Sequence, residues 1–163
     1  MNSGTKIEIE EFEEHDLVTY YTIRFLEEES SETEKFFNTE YNYDNYEEDI
    51  SIISKVIDKI GEKGSLERYF RNAGSAKDNV SALPEYLYTN TELRLYAIRL
   101  SDTIVILGNG GRKTTKTYNE DPNLLRHVEI LQKLDGYIKA RIKSDKLTIY
   151  NKKLYGKLTF HLK

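Results

Sequence analysis

The chain has 163 residues, 38% hydrophobic and 32% charged, which suits one domain of ordinary size and not compositional disorder. It has no cysteine, so disulfides and thiol chemistry are excluded and a zinc ion would have only imidazole and carboxylate ligands. The net charge of −4 hides a division: residues 1–60 hold 17 Asp/Glu against 5 Lys/Arg, and residues 61–163 hold 11 against 19. Halves so different either meet two partners or face each other.

No apolar run reaches the length of a membrane span, and the first residues lack the apolar core of a signal peptide, so a cytoplasmic chain without a membrane partner is expected. The three histidines, His15, His127 and His161, are not paired at a ligand spacing. No metal site and no cofactor are expected.

In chain order, Lys6-Ile-Glu-Ile-Glu10 alternates apolar and polar residues, and the segment 17–26 is rich in β-branched and aromatic ones. The turn-prone residues 13–16 between them predict an antiparallel hairpin. Ser31-Glu-Thr-Glu34 has the form of a capping box and predicts a short helix through Phe37. Residues 38–46 are acidic, tyrosine-rich and aperiodic, which predicts an exposed loop. Ile50, Ile53, Ile57 and Ile60 form a helical stripe that Gly61 and Gly64 end, and Ser65 is placed to cap a second helix carrying Leu66, Tyr69 and Phe70. A polar loop is expected over 72–81, then strands over 85–88, 93–100 and 103–107, the last two joined as a hairpin. The glycines at 108, 110 and 111 predict a loop needing positive φ or close backbone approach. Asp121 and Pro122 open a long helix with Leu124, Val128, Leu131 and Leu134 inward. Strands over 146–150 and 155–162 are expected to close the chain as a hairpin.

Gly108-Asn-Gly-Gly-Arg-Lys-Thr-Thr115 invites a phosphate-loop reading, but Arg112 interrupts the Gly-Lys pair and the helix starts too late. A nucleoside triphosphatase is excluded. No serine–histidine–carboxylate order, paired-carboxylate motif or dinucleotide fingerprint is present. What remains is a set of cations on or beside strands: Arg94, Arg99, Arg112, Lys113 and Lys116, with Tyr96, Tyr118 and His161 as aromatic neighbours. A salt bridge is the ordinary fate of any single arginine; five cations around one sheet edge suggest a phosphate-binding patch with rings to stack on bases.

Several segments resemble the RelE/ParE toxin superfamily. Leu66-Glu-Arg-Tyr-Phe-Arg71 and Asn79-Val-Ser-Ala-Leu-Pro84 resemble a helix end and the following stretch in its HigB-like branch. Glu92-Leu-Arg-Leu-Tyr-Ala-Ile-Arg99 resembles a strand of that branch, and residues 104–116 resemble the strand and basic segment after it. The likeness covers about residues 47–162. It implies an α+β fold over residues 47–163: a small antiparallel sheet with two N-terminal helices and one long helix packed on it. Residues 1–46 have no counterpart in that family and are expected as an acidic extension built on the β-hairpin. The likeness also implies metal-free cleavage of ribosome-bound mRNA and an antitoxin partner. Arg99, Arg112, Lys113, Lys116 and His161 would stand at the catalytic positions, with Arg94, Tyr96 and Tyr118 as RNA contacts. The alternative is a non-catalytic interaction or inhibitor protein, phage- or defence-associated, that holds a protein partner by its acidic, tyrosine-rich surface.

Overall fold

The structure, a computed structural model, describes residues 5–38, 44–72, 78–84, 91–114 and 118–163. The fold is α+β. Seven strands form one sheet in the order β3-β4-β5-β6-β2-β1-β9, and β7 and β8 make a separate two-stranded ribbon. The strands are β1 (Thr5–Glu14), β2 (Thr19–Phe25), β3 (Arg71–Asn72), β4 (Val80–Leu83), β5 (Leu93–Arg99), β6 (Ile104–Arg112), β7 (Leu147–Tyr150), β8 (Lys153–Gly156) and β9 (Thr159–Leu162). The helices are α1 (Glu32–Phe37), α2 (Glu47–Lys63) and α3 (Pro122–Lys143). No described helix is long and apolar enough to cross a membrane.

The front hairpin forms as its alternation predicts, with Ile7 opposite Phe25 and Ile9 opposite Ile23, and a bulge shifts the register between Glu11 and Glu13. It is not an appendage. β2 pairs in parallel with β6, and β1 pairs with β9, so the front strands lie inside the sheet and the expected boundary at residue 46 has no counterpart there. That parallel pairing also makes the sheet mixed rather than antiparallel. Parallel neighbours need a long crossover, here supplied by everything between residues 25 and 104.

Both sheet faces are covered. Ile7, Ile9, Tyr96, Ile98 and Ile106 pack on α3 through Leu124, Val128, Leu131, Leu134 and Ile138, with Leu147 and Leu154 of the ribbon joining them. The opposite residues, among them Tyr20, Leu93, Leu95, Ala97 and Val105, pack on Phe36 of α1 and on Ile53, Val56, Ile57 and Ile60 of α2. β5 and the first half of β6 are therefore buried along nearly all their length, and β6 opens on the unbroken apolar run Ile104–Leu107, as a strand buried on both faces should.

The local signals in the helices hold. Ser31 and Glu34 form the reciprocal capping box of α1. Asp121 accepts from the Asn123 and Leu124 amides, with Pro122 leading α3. Gly64 ends α2 at φ +102°, while Gly61 lies within the helix.

Four expectations change. The second helix after Gly64 is only a 3₁₀ turn over Glu67–Tyr69. Ser65 cannot open a helix because its N–H donates to Asp102 O and its carbonyl accepts from Arg99, both fixed at the β5–β6 turn. The expected loop at 72–81 holds the end of β3 and the start of β4; the expected strand at 85–88 lies outside the described residues. The glycines at 108, 110 and 111 continue β6 instead of forming a loop, paired with β5 through Leu95↔Gly110 and Arg94↔Gly111. Gly110 is there for close approach: a Cβ would sit 1.8 Å from the Arg94 carbonyl oxygen. Lastly, the strand expected at 155–162 divides at Gly156, whose φ of +134° turns the chain out of the ribbon and lets β9 join β1.

Candidate nucleic-acid interface

The cations singled out in the sequence do not converge. Opposite pairings of Leu93 with Arg112 and of Arg99 with Val105 put Arg99 and Arg112 at the two ends of β5–β6. Six strand residues separate those ends, roughly 20 Å. His161 is exposed on β9 opposite Lys6, at the far edge of the sheet, three strands from β6 and so roughly 14 Å away.

Arg99 and Arg112 have local occupations. Arg99 donates to Ser65 O and to Asp102 Oδ1, both at 2.6 Å, and so ties the end of α2 to the β5–β6 turn. Arg112 pairs with Glu92 at 3.4 Å and lies over the Tyr46 ring at 5.8 Å. Lys113 follows it, its amide donating to Glu92 O. Lys116 lies outside the described residues.

The RNA contacts expected on β5 are buried under α3. Arg94 is 6% exposed and its Nη1 donates to Thr91 O, Thr91 Oγ1 and Leu93 O, stapling its own strand. Tyr96 is 1% exposed, and burial pushes its hydroxyl pKa up to about 12. Tyr118 is half-buried in a 3₁₀ turn against the same core. In the acidic tyrosine-rich segment, Tyr41 and Tyr43 lie outside the described residues, and Tyr46 donates to Glu92.

A different basic surface does form. Residues 137–163 carry eight Lys/Arg and one acid, Asp145, so nearly all of the second half's positive excess is in its last 27 residues. Three of the large side chains exposed among the described residues are tyrosines here: Tyr150 at 64%, Tyr155 at 53% and Tyr137 at 38%. Asn151 and Lys152, both at positive φ, make the two-residue turn that twists β7 and β8 correctly into a ribbon. Its pairing sets Thr148 opposite Tyr155 and Tyr150 opposite Lys153. Leu147 and Leu154 face the core, leaving Thr148, Tyr150 and Tyr155 outward, with the two rings diagonal neighbours on one face.

The ribbon's two ends differ electrically. At the tip, Lys152 pairs with Glu14, and Lys153 with Glu11 and Glu14. These hydrogen bonds hold the Glu14 carboxyl below its usual range and raise the Lys153 ammonium above its own. The acidic front and basic back thus do face each other there, and among the described residues they form ion pairs at no other place. At the open end, Lys146 N donates to Arg141 O, and Lys157 N to Lys146 O, folding the ribbon's base onto the end of α3. Lys143, Lys146 and Lys157 gather at that base, and their ammonium groups form no ion pair or hydrogen bond with the described residues. The negative end of the α3 dipole favours cations at this place. Arg141 is not one of the free charges: its guanidinium lies 3.7 Å above the Phe160 ring and donates to Lys157 O, anchoring β9.

Family models, curated proteins and solved structures were all compared with the chain, and none matches.

Free ammonium groups beside outward tyrosines can hold phosphates while the rings stack on unpaired bases. The signal in the sequence was the 8-to-1 charge ratio of the last 27 residues, a property of composition that the strand reading of that segment left unused.

Proposed function

We propose that the protein binds single-stranded RNA through the β7–β8 ribbon and the adjoining end of α3. The observation that supports this reading is one ribbon that carries Tyr150 and Tyr155 outward on one face and has at its base Lys143, Lys146 and Lys157, which pair with none of the described residues. The resemblance to RelE/HigB-type toxins, carried by residues 66–71, 79–84, 92–99 and 104–116, adds the substrate class: cytoplasmic mRNA on the ribosome, with an antitoxin as protein partner. The reading is of binding rather than cleavage. Metal-free cleavage needs a cation and a proton-transfer group at one phosphate. Arg99, Arg112 and His161 stand at three separate places.

The test is fluorescence anisotropy with a labelled uridine 12-mer and the Tyr150→Ala/Tyr155→Ala chain. Stacking contributes about 1–3 kcal/mol per base, so losing two rings lowers affinity by about 30-fold or more. Unchanged affinity in a folded double variant, or no saturable binding by the parent chain, overturns the reading.

A further inference from the structure

At the opposite end of the front hairpin, three ligand-type side chains from two distant stretches of sequence meet. Glu13 is the penultimate residue of β1, His15 begins the turn after it, and Asp58 comes from α2. One ligand atom from each lies within 4.8 Å of the others, and His15 Nε2 stands 2.9 Å from Glu13 Oε1. Ligands sharing an ion with bonds of about 2.1 Å are separated by about 3–3.4 Å. Glu13 and His15, joined here by a hydrogen bond, already stand near that spacing, and Asp58 is within reach of it by side-chain rotation.

The chain is built around this arrangement. The bulge between Glu11 and Glu13 changes which way Glu13 points, a device common beside functional sites. α2 carries glycine at position 61, where a Cβ would stand 2.4 Å from the His15 ring. The ring is set edge-on to Tyr20 at 5.3 Å, and the His15 backbone is pinned by its N–H donating to Val18 O and by Lys152 donating to its carbonyl, while Leu17 N donating to Gly61 O ties the turn to α2. Asp58 is the informative member. It forms no hydrogen bond or ion pair with the described residues, yet it is held beside a second carboxylate in a front half already rich in negative charge. Like charges brought together without a cation repel. A dication would remove that cost.

The open side is a cleft of about 280 Å³, lined by Phe12, Glu34, Phe37 and Ser54 among others, with room for water at the remaining coordination positions. We propose that Glu13, His15 and Asp58 form a binding site for a first-row divalent metal ion, from Mn2+ to Zn2+. One imidazole with two carboxylates fits those ions better than Mg2+ or Ca2+, which take oxygen ligands alone. The histidine spacing in the sequence pointed away from a metal because the third ligand comes from α2, 43 residues after His15.

The site is independent of the RNA reading, lying on the acidic front rather than on the ribbon's base. The experiment is titration of the full chain with MnCl2 and, separately, ZnCl2 by calorimetry, with NMR line-broadening by Mn2+ as a map. One equivalent is expected to bind, with broadening confined to signals around His15 and Gly61. Asp58→Asn changes an exposed group that bonds to none of the described residues and should fold like the parent; it and His15→Gln each weaken binding by about 10-fold or more. Asp16→Asn, a nearby exposed carboxylate outside the set, leaves it unchanged. Parent-like affinity in Asp58→Asn, broadening spread over the acidic surface, or no saturable binding overturns the proposal.

Discussion

Replacing Gly110 with alanine tests the pairing of β5 with the glycine stretch of β6. The added Cβ would lie 1.8 Å from Arg94 O and 3.0 Å from Leu95 Cα. Ordinary carbon contacts lie at about 3.5–4 Å, so the strands must part by about 2 Å. The obstacle is backbone, with no side chain free to swing away. Overpacking costs about 1–3 kcal/mol, and a buried backbone hydrogen bond left unmade costs about 1–3 more, which together give about 2–6 kcal/mol. The matched control is Gly136→Ala on the exposed face of α3, where an added Cβ meets nothing within 4 Å. There the change should stabilise by about 0.5–1 kcal/mol through helix propensity. With a urea slope of about 2 kcal/mol/M, the first substitution lowers the midpoint by about 1–3 M and the second raises it by about 0.3–0.5 M. A neutral Gly110→Ala would mean that residues 108–111 form a free loop, and the argument for a continuous β6 would be wrong.

Deleting residues 1–46 should abolish folding, because it removes β1 and β2 from between β6 and β9; a truncated chain with cooperative unfolding by circular dichroism would refute the sheet order. Arg99→Ala should cost about 1–3 kcal/mol by freeing the buried Ser65 carbonyl, and leave RNA affinity unchanged; a loss of affinity at unchanged stability would put Arg99 back in the interface. Burial lowers the His127 pKa below its ordinary 6.5. The unfolded chain then binds the proton more readily, so the neutral histidine's contribution is present above about pH 6.5 and lost as pH falls below it. His127→Gln should flatten the urea midpoint between about pH 7 and 5; an unchanged pH slope would show that other groups carry it.

Much of the local structure was legible because it is written in short spacings. The Ser31–Glu34 box, the Asp121–Pro122 start, the α2 isoleucine stripe and the alternation of β1 all act within a few residues, and all formed. What escaped the sequence is long-range. Nothing near Thr19 announces a parallel partner at Ile104, and nothing near Thr159 announces β1. The reading of β5 took one of its faces as available to RNA, whereas α3 and α2 cover one each, so Arg94 and Tyr96 are structural. Arg99 met the ordinary fate of a lone arginine, a carbonyl and a carboxylate. The ribbon's strands were readable, but the exposure of Tyr150 and Tyr155 depends on which side of β7–β8 meets α3. The Glu13–His15–Asp58 set needed the bulge and the α2 contact, and neither has a signature in spacing.

The salt dependence of RNA binding tests the central claim most directly. If Lys143, Lys146 and Lys157 each neutralise a phosphate, log K falls with log salt at a slope of about −2, about 0.7 per contact for a single strand. Changing all three to glutamine should bring the slope to near zero and weaken binding most at low salt, while Arg112→Gln/Lys113→Gln leaves both alone. A slope that survives the ribbon variant and collapses in the Arg112/Lys113 pair would place the nucleic acid elsewhere and contradict the account.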